Sequence, residues 1–195
     1  MKWVWVFLLV TILTACSRIG YNLAEITGLS FLHDRRSSAT IAVDERIEDT
    51  AIIELHALDA VKDHAHVNVT SYNGRVLITG EAETEAVREA IVANIRIISG
   101  VKLVHNEVVV SPLSSLSSRS EDSLLTIKVK DALTDITDKP GFDATRIKVV
   151  TENKVVYLMG LVHEEEGMAA AKVVQNVAGV RKIVTVFEYI SYDKE

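Results

Sequence analysis

Two stretches of this chain share one demanding pattern, and any fold must accommodate both. Residues 67–80 read VNVTSYNGRVLITG and residues 147–160 read IKVVTENKVVYLMG. Eighty positions apart, Val69, Asn73, Val76 and Gly80 meet Val149, Asn153, Val156 and Gly160. In the first stretch Val67, Val69 and Ser71 alternate with Asn68, Thr70 and Tyr72, the two-residue period of a half-buried strand. Asn73-Gly74 then supplies the positive φ angles of a two-residue type I′ turn, so the stretch reads as a hairpin. In the second, residues 147–151 and 155–159 form the strands around Glu152-Asn153-Lys154.

The flanking segments repeat as well. Asp49 and Thr50 are N-cap residues for a helix over 51–61. Val87, Ile91, Ile95 and Ile98 recur at spacings of four, four and three, one face of a helix over 84–99 that Gly100 ends. Residues 101–110 are the next strand. After Pro112 and a serine-rich run come a helix over 123–136, the second hairpin, a helix over 164–178 ended by Gly179, and a strand over 180–190. The fold class is therefore α+β: two tandem αββαβ units, each a small three-stranded sheet packed by two helices. Two copies of this size are a duplication rather than a solenoid. The organisation is 1–15 signal peptide, 16–48 tether, 49–110 first unit, 111–122 linker, 123–190 second unit, 191–195 tail.

The N-terminus sets the compartment. Lys2 is a positive n-region and residues 3–13 are an apolar run, too short for a membrane-spanning helix of about 20 residues. Leu13-Thr14-Ala15-Cys16 matches the lipobox in which the cysteine becomes lipid-modified. Cys16 is the one cysteine in the chain. The alternative is an ordinary signal peptide with an incidental cysteine, but a solitary cysteine in a chain entering an oxidising compartment favours lipidation over a disulfide. Several acyl chains hold stably where one does not. Ser17, rather than aspartate, follows the cysteine. The formal charge is −6 and becomes −7 once Lys2 is removed, which disfavours a nucleic-acid partner.

Taken together, the lipobox, the two αββαβ units, the hairpins closed by Gly80 and Gly160, and the segments 149–162 (VVTENKVVYLMGLV) and 179–185 (GVRKIVT) resemble the tandem BON-domain lipoproteins of Gram-negative bacteria. The resemblance covers most of the mature chain, with weaker agreement at residues 34–37. It implies three acyl chains on Cys16, a periplasm-facing place in the outer membrane and a role in envelope integrity. It implies no catalytic activity and no cofactor. It also implies that the second unit's first helix binds anionic phospholipid, phosphatidylglycerol in particular. A family aromatic at that contact is Leu124 here, which keeps an apolar side chain but lacks the ring suited to the headgroup zone.

The same helix can be read without the family. At about 100° per residue, Leu125, Val129, Ala132 and Ile136 form the core stripe. Leu124, Ile127 and Lys130 lie on the outer side with Lys128 flanking, and Asp131 there opposes an anionic surface. Leu124, Ile127, Lys128 and Lys130 are thus the candidate lipid-facing patch. The alternative is that Leu124 and Ile127 pack against the first unit or the linker. A rival function is a protein-interaction module acting with envelope-assembly, cell-wall remodelling or division proteins.

Other chemistry finds little support. His64 and His66 would share a strand side, with His105 near, but no third ligand stands at a fixed local spacing, so these read as surface histidines and no metal is expected. No G-x-S-x-G elbow or phosphate-binding glycine loop occurs. Gly80 and Gly160 read as structural glycines answering a backbone demand.

Overall fold

The computed structural model describes residues 33–191; the signal peptide, Cys16 and most of the tether lie outside the described residues. Helix α1 spans Ser38–Ala57 and is followed by a one-turn helix α2, Asp59–Lys62. Strands β1 (Ala65–Tyr72) and β2 (Arg75–Ala82) form the first hairpin, and helix α3 (Glu85–Arg96) crosses to β3 (Leu103–Val110). The second half repeats this with α4 (Leu116–Thr134), a 3-10 turn (Ala144–Arg146), β4 (Lys148–Glu152), β5 (Val155–Val162), α5 (Glu164–Val174) and β6 (Lys182–Tyr189). Each half holds a three-stranded sheet, ordered β1-β2-β3 and β4-β5-β6, with an antiparallel hairpin and a parallel third strand.

Both hairpins close with two-residue turns in which both residues have positive φ: Asn73 (55°) and Gly74 (73°), Asn153 (49°) and Lys154 (62°). This is the I′ geometry whose twist suits flanking strands. The second turn is therefore Asn153-Lys154 alone, since Glu152 already pairs with Val155 in the ladder.

Both first helices start earlier than their sequence suggests. Helix α1 begins at Ser38, inside the segment read as tether, and α4 begins at Leu116, inside the serine-rich run read as linker. Ser37 caps α1 by accepting a hydrogen bond from the Thr40 amide, and Ser115 caps α4 from Ser118. The physical reason for the extra turns is one aspartate on each helix. Asp44 accepts hydrogen bonds from the turn amides of Asn73 (2.7 Å) and Gly74 (2.8 Å). Asp122 does the same for Asn153 (2.7 Å) and Lys154 (2.8 Å). Each carboxylate takes up two turn donors that the ladder leaves unused, and so ties the helix to its hairpin.

Asp44 also accepts from the Ser71 hydroxyl (2.6 Å) and from Arg36 (2.8 Å), whose guanidinium stacks on the Tyr72 ring at 3.7 Å. Burial pushes the Asp44 pKa up, but the hydrogen bonds from Ser71, Gly74, Asn73 and Arg36 outweigh it, and the net pKa lies below 3.8. A depressed folded-state pKa stabilises fully above the unfolded value and is lost as pH falls through the folded one. Acid titration below pH 4 is therefore expected to unfold the native protein more steeply than an Asp44→Asn variant, a difference followed by circular dichroism.

The helices cover one face of each sheet. Ile47, Ala51, Leu55, Val76, Ile78, Ile91 and Ile95 build the first core, and Leu125, Val129, Leu133, Val156, Leu158, Ala170 and Val174 the second. The other faces pack together, where Tyr72 and Leu77 meet Val155, Tyr157, Met159 and Val186. Both sheets are thus buried on both sides, which accounts for the unbroken apolar run of β5. Polar ties rim this interface: Asn68 to Glu152 (2.9 Å), Asn73 to Glu188 (2.8 Å), Arg75 to Glu188 (3.2 Å) and Lys148 to Glu48 (2.9 Å). Arg35 forks onto Glu166 at 2.6 and 2.9 Å and also donates to the Leu161 carbonyl. Burial pushes the Glu166 pKa up, but Arg35, the His163 amide and Arg146 bring it below its ordinary value.

Two of the three histidines depart from the surface reading. His64 is exposed and pairs with Glu83 at 2.7 Å. His66 and His105 are half-buried between the sheets, and burial lowers the pKa of both. The two-residue period of β1 puts His66 on the face that the second sheet covers.

Candidate membrane-contact surface

Helix α4 presents two faces. Leu125, Val129 and Leu133 are buried, with Ile136 just beyond the helix. Leu133, rather than Ala132, completes the central stripe, and Ala132 sits half-buried at its edge. On the opposite face Leu124 is 60% exposed and Ile127 57%. Leu116, at 78%, extends the same side one helical stretch toward the N-terminus.

Among the candidate patch residues, Lys128 is exposed and Lys130 half-buried. Leu124, Ile127 and Lys128 fall within about 100° of arc at the helical period, and Lys130 flanks Ile127. Exposed Asp131 lies between Ile127 and Leu124 on that wheel, and Glu121, near the patch, is paired with Lys154 at 3.1 Å. Leu124 and Ile127 are not buried against the first unit.

The serines that made this segment look like a linker hydrogen-bond inside the helix. Ser120 donates to the Leu116 carbonyl and Ser123 to that of Arg119, both at 3.0 Å. Such back-bonding lets poor helix formers sit in a helix that tertiary contacts hold.

Exposed apolar side chains also occur on α1, at Ile52 and Ile53. There the helical period brings Glu45 and Asp49 beside Ile52 and the exposed Arg46 in line with Ile53, so acids outnumber the one permanent cation. The two first helices thus differ in the charge around their apolar residues. Beside the α4 C-terminus a pocket of about 410 Å³ is lined by Asp138, Lys139, Glu165, Met168 and Lys172 among others, a mixture of both charges. Among the described residues no helix is long and apolar enough to cross a membrane.

Residues missed in the sequence are Asp44 and Asp122. Their signal was an acid 29 and 31 residues ahead of the first turn asparagine-type position, Asn73 and Asn153 respectively. It is not a pattern that helix periodicity or capping rules pick out, because its meaning lies in the turn the acid reaches.

The BON-domain family model matches residues 47–112 and 121–191. The chain is 35% identical over 157 residues to the outer membrane lipoprotein DolP of Haemophilus influenzae, covering 80% of each protein. It is 33% identical over 157 residues to a 21 kDa hemolysin of Actinobacillus pleuropneumoniae, covering 80% of this chain and 79% of that one. Each αββαβ unit carries its own family match, so the chain belongs to the BON-domain family and is a non-enzymatic outer-membrane lipoprotein of the DolP type.

Proposed function

We propose that this protein binds anionic phospholipid of the phosphatidylglycerol class through the outer face of α4, and so supports the integrity of the outer membrane. The observation that carries the reading is the exposure of Leu124 and Ile127 beside Lys128 and Lys130. A leucine and an isoleucine entering the acyl boundary contribute about 1.5–3 kcal/mol each. A lysine at an anionic surface adds about 1 kcal/mol. Asp131 subtracts from this, so binding rests more on the apolar pair than on charge.

Ile127→Glu replaces the apolar contribution with a repelled carboxylate. Co-sedimentation with phosphatidylglycerol vesicles is expected to fall about a hundredfold, since each 1.4 kcal/mol is tenfold. Unchanged binding with an intact fold rejects the patch. Leu124→Trp, which supplies a ring suited to the headgroup zone, is expected to raise binding several-fold.

A protein-facing role is the second reading, favoured by Ile52 and Ile53 on α1, exposed beside acids that an anionic bilayer would repel. Envelope-assembly or division proteins are the partners of that reading. It gains if Ile53→Glu on α1 leaves vesicle binding intact while disturbing the envelope.

A further inference from the structure

The geometry points to a divalent-cation site of the zinc class between the two sheets, formed by His66, Glu81 and Glu152, which clamps the two BON domains together. His66 on β1 and Glu81 on β2 are cross-strand partners in the first hairpin. Glu152 ends β4 of the second domain. One ligand atom from each of the three lies within 4.8 Å of the others. Tetrahedral zinc holds its ligand atoms about 3.3 Å apart, so modest side-chain rotation closes the set.

The histidine lacks what burial demands of it, and the two glutamates are thinly served. The His66 Nδ1 is buried without a hydrogen-bond partner. Its approach to Glu81 Oε2, 3.5 Å, is too long to serve as one. The side chains of Glu81 and Glu152 are nine-tenths or more buried. Glu152 accepts one hydrogen bond from Asn68 Nδ2, and Glu81 a long one of 3.3 Å from the Ser114 amide. These outer contacts orient the carboxylates without filling their lone pairs, the usual support around metal ligands.

Charge is short as well. Arg119 is the nearby cation, and its guanidinium is already held by the Ser114 hydroxyl and carbonyl. One imidazole nitrogen and two carboxylates suit a borderline metal such as zinc better than calcium, which takes six to eight oxygens. A fourth position stays open to water.

The test uses the full chain purified in detergent and zinc chloride as the probe. Calorimetry is expected to give one zinc per chain with a dissociation constant at or below about 10 µM. At about a hundredfold excess over that value, the thermal midpoint is expected to rise by roughly 5–10 °C. Glu152→Gln and His66→Gln, each checked for its metal-free midpoint, are expected to weaken zinc more than tenfold and remove the rise. His64→Gln, at the exposed pair nearby, is expected to keep both. The assignment is overturned if the native chain takes up no zinc at about 100 µM, or if binding survives both Glu152→Gln and His66→Gln. Loss in Glu152→Gln also separates a clamp between domains from a site on the first hairpin alone. None of these outcomes depends on vesicle binding.

Discussion

Asp44→Ala is expected to lower the stability of this protein by about 4 kcal/mol, read as a fall in the urea midpoint at an unchanged slope. The carboxylate holds four donors at once: the amides of Asn73 and Gly74, the Ser71 hydroxyl and Arg36. Alanine leaves two buried amides without an acceptor, each costing about 1–3 kcal/mol. It also removes the 2.8 Å ion pair that Arg36 makes with the carboxylate. Asp44→Asn keeps one acceptor oxygen and is expected to lose about half as much. Asp122→Ala removes the matching pair of acceptors in the second domain. It is expected to cost less than Asp44→Ala, because the Arg36 contact has no counterpart in its bonds. A midpoint for Asp44→Ala within error of the native value would show that the turns hold themselves, and that the long α1 has another cause.

Gly80→Ala is the second large effect, at about 4 kcal/mol. Gly80 sits in the middle of β2 at φ +119, a conformation that side chains rarely adopt, and that alone costs of order 1–3 kcal/mol. A Cβ there would also run into the His66 carbonyl oxygen on the neighbouring strand. Backbone cannot swing aside as a flexible side chain can, so the hairpin itself has to part. Gly160 is the equivalent position in β5, but its φ lies outside that region. Its added Cβ would meet the Arg146 carbonyl at 2.7 Å, in the 3-10 turn that precedes β4. A turn yields more readily than a paired strand, so Gly160→Ala is expected to cost about 2 kcal/mol. The test is the order of the two midpoints: Gly160→Ala falling further than Gly80→Ala would contradict it. Gly80→Ala should also displace His66, linking the closing glycine of the hairpin to the face between the sheets.

The split face of α4 was legible in the sequence. Leu125, Val129 and Ile136 stand at helical spacing and are buried, while Leu124 and Ile127 face out. Ala132 and Leu133 exchanged places in the stripe, because neighbouring positions differ by only about 100° and the larger side chain filled the core. The early starts of α1 and α4 were not legible. Ser117, Ser118, Ser120 and Ser123 are weak helix formers, and local propensity favours a linker there. What holds them helical is Asp122 reaching a turn 31 residues away and Leu125 reaching the core.

The chain's own order of residues determined that there are two copies of one αββαβ unit, each with a tight hairpin turn. Those features depend on neighbours in sequence: Asn73-Gly74 announces a two-residue turn by itself, whereas the second turn, read as Glu152-Asn153-Lys154, was narrowed to Asn153-Lys154 only by the pairing of Glu152 with Val155. Only the tertiary structure decided that the sheets lie back to back, that Asp44 and Asp122 fasten helix to turn, and that Glu152 comes up against His66 and Glu81. The physical reason is that such contacts join residues tens of positions apart, and which residues meet follows from how whole faces pack, a choice made by the summed burial of both sheets rather than by any stretch of chain within them.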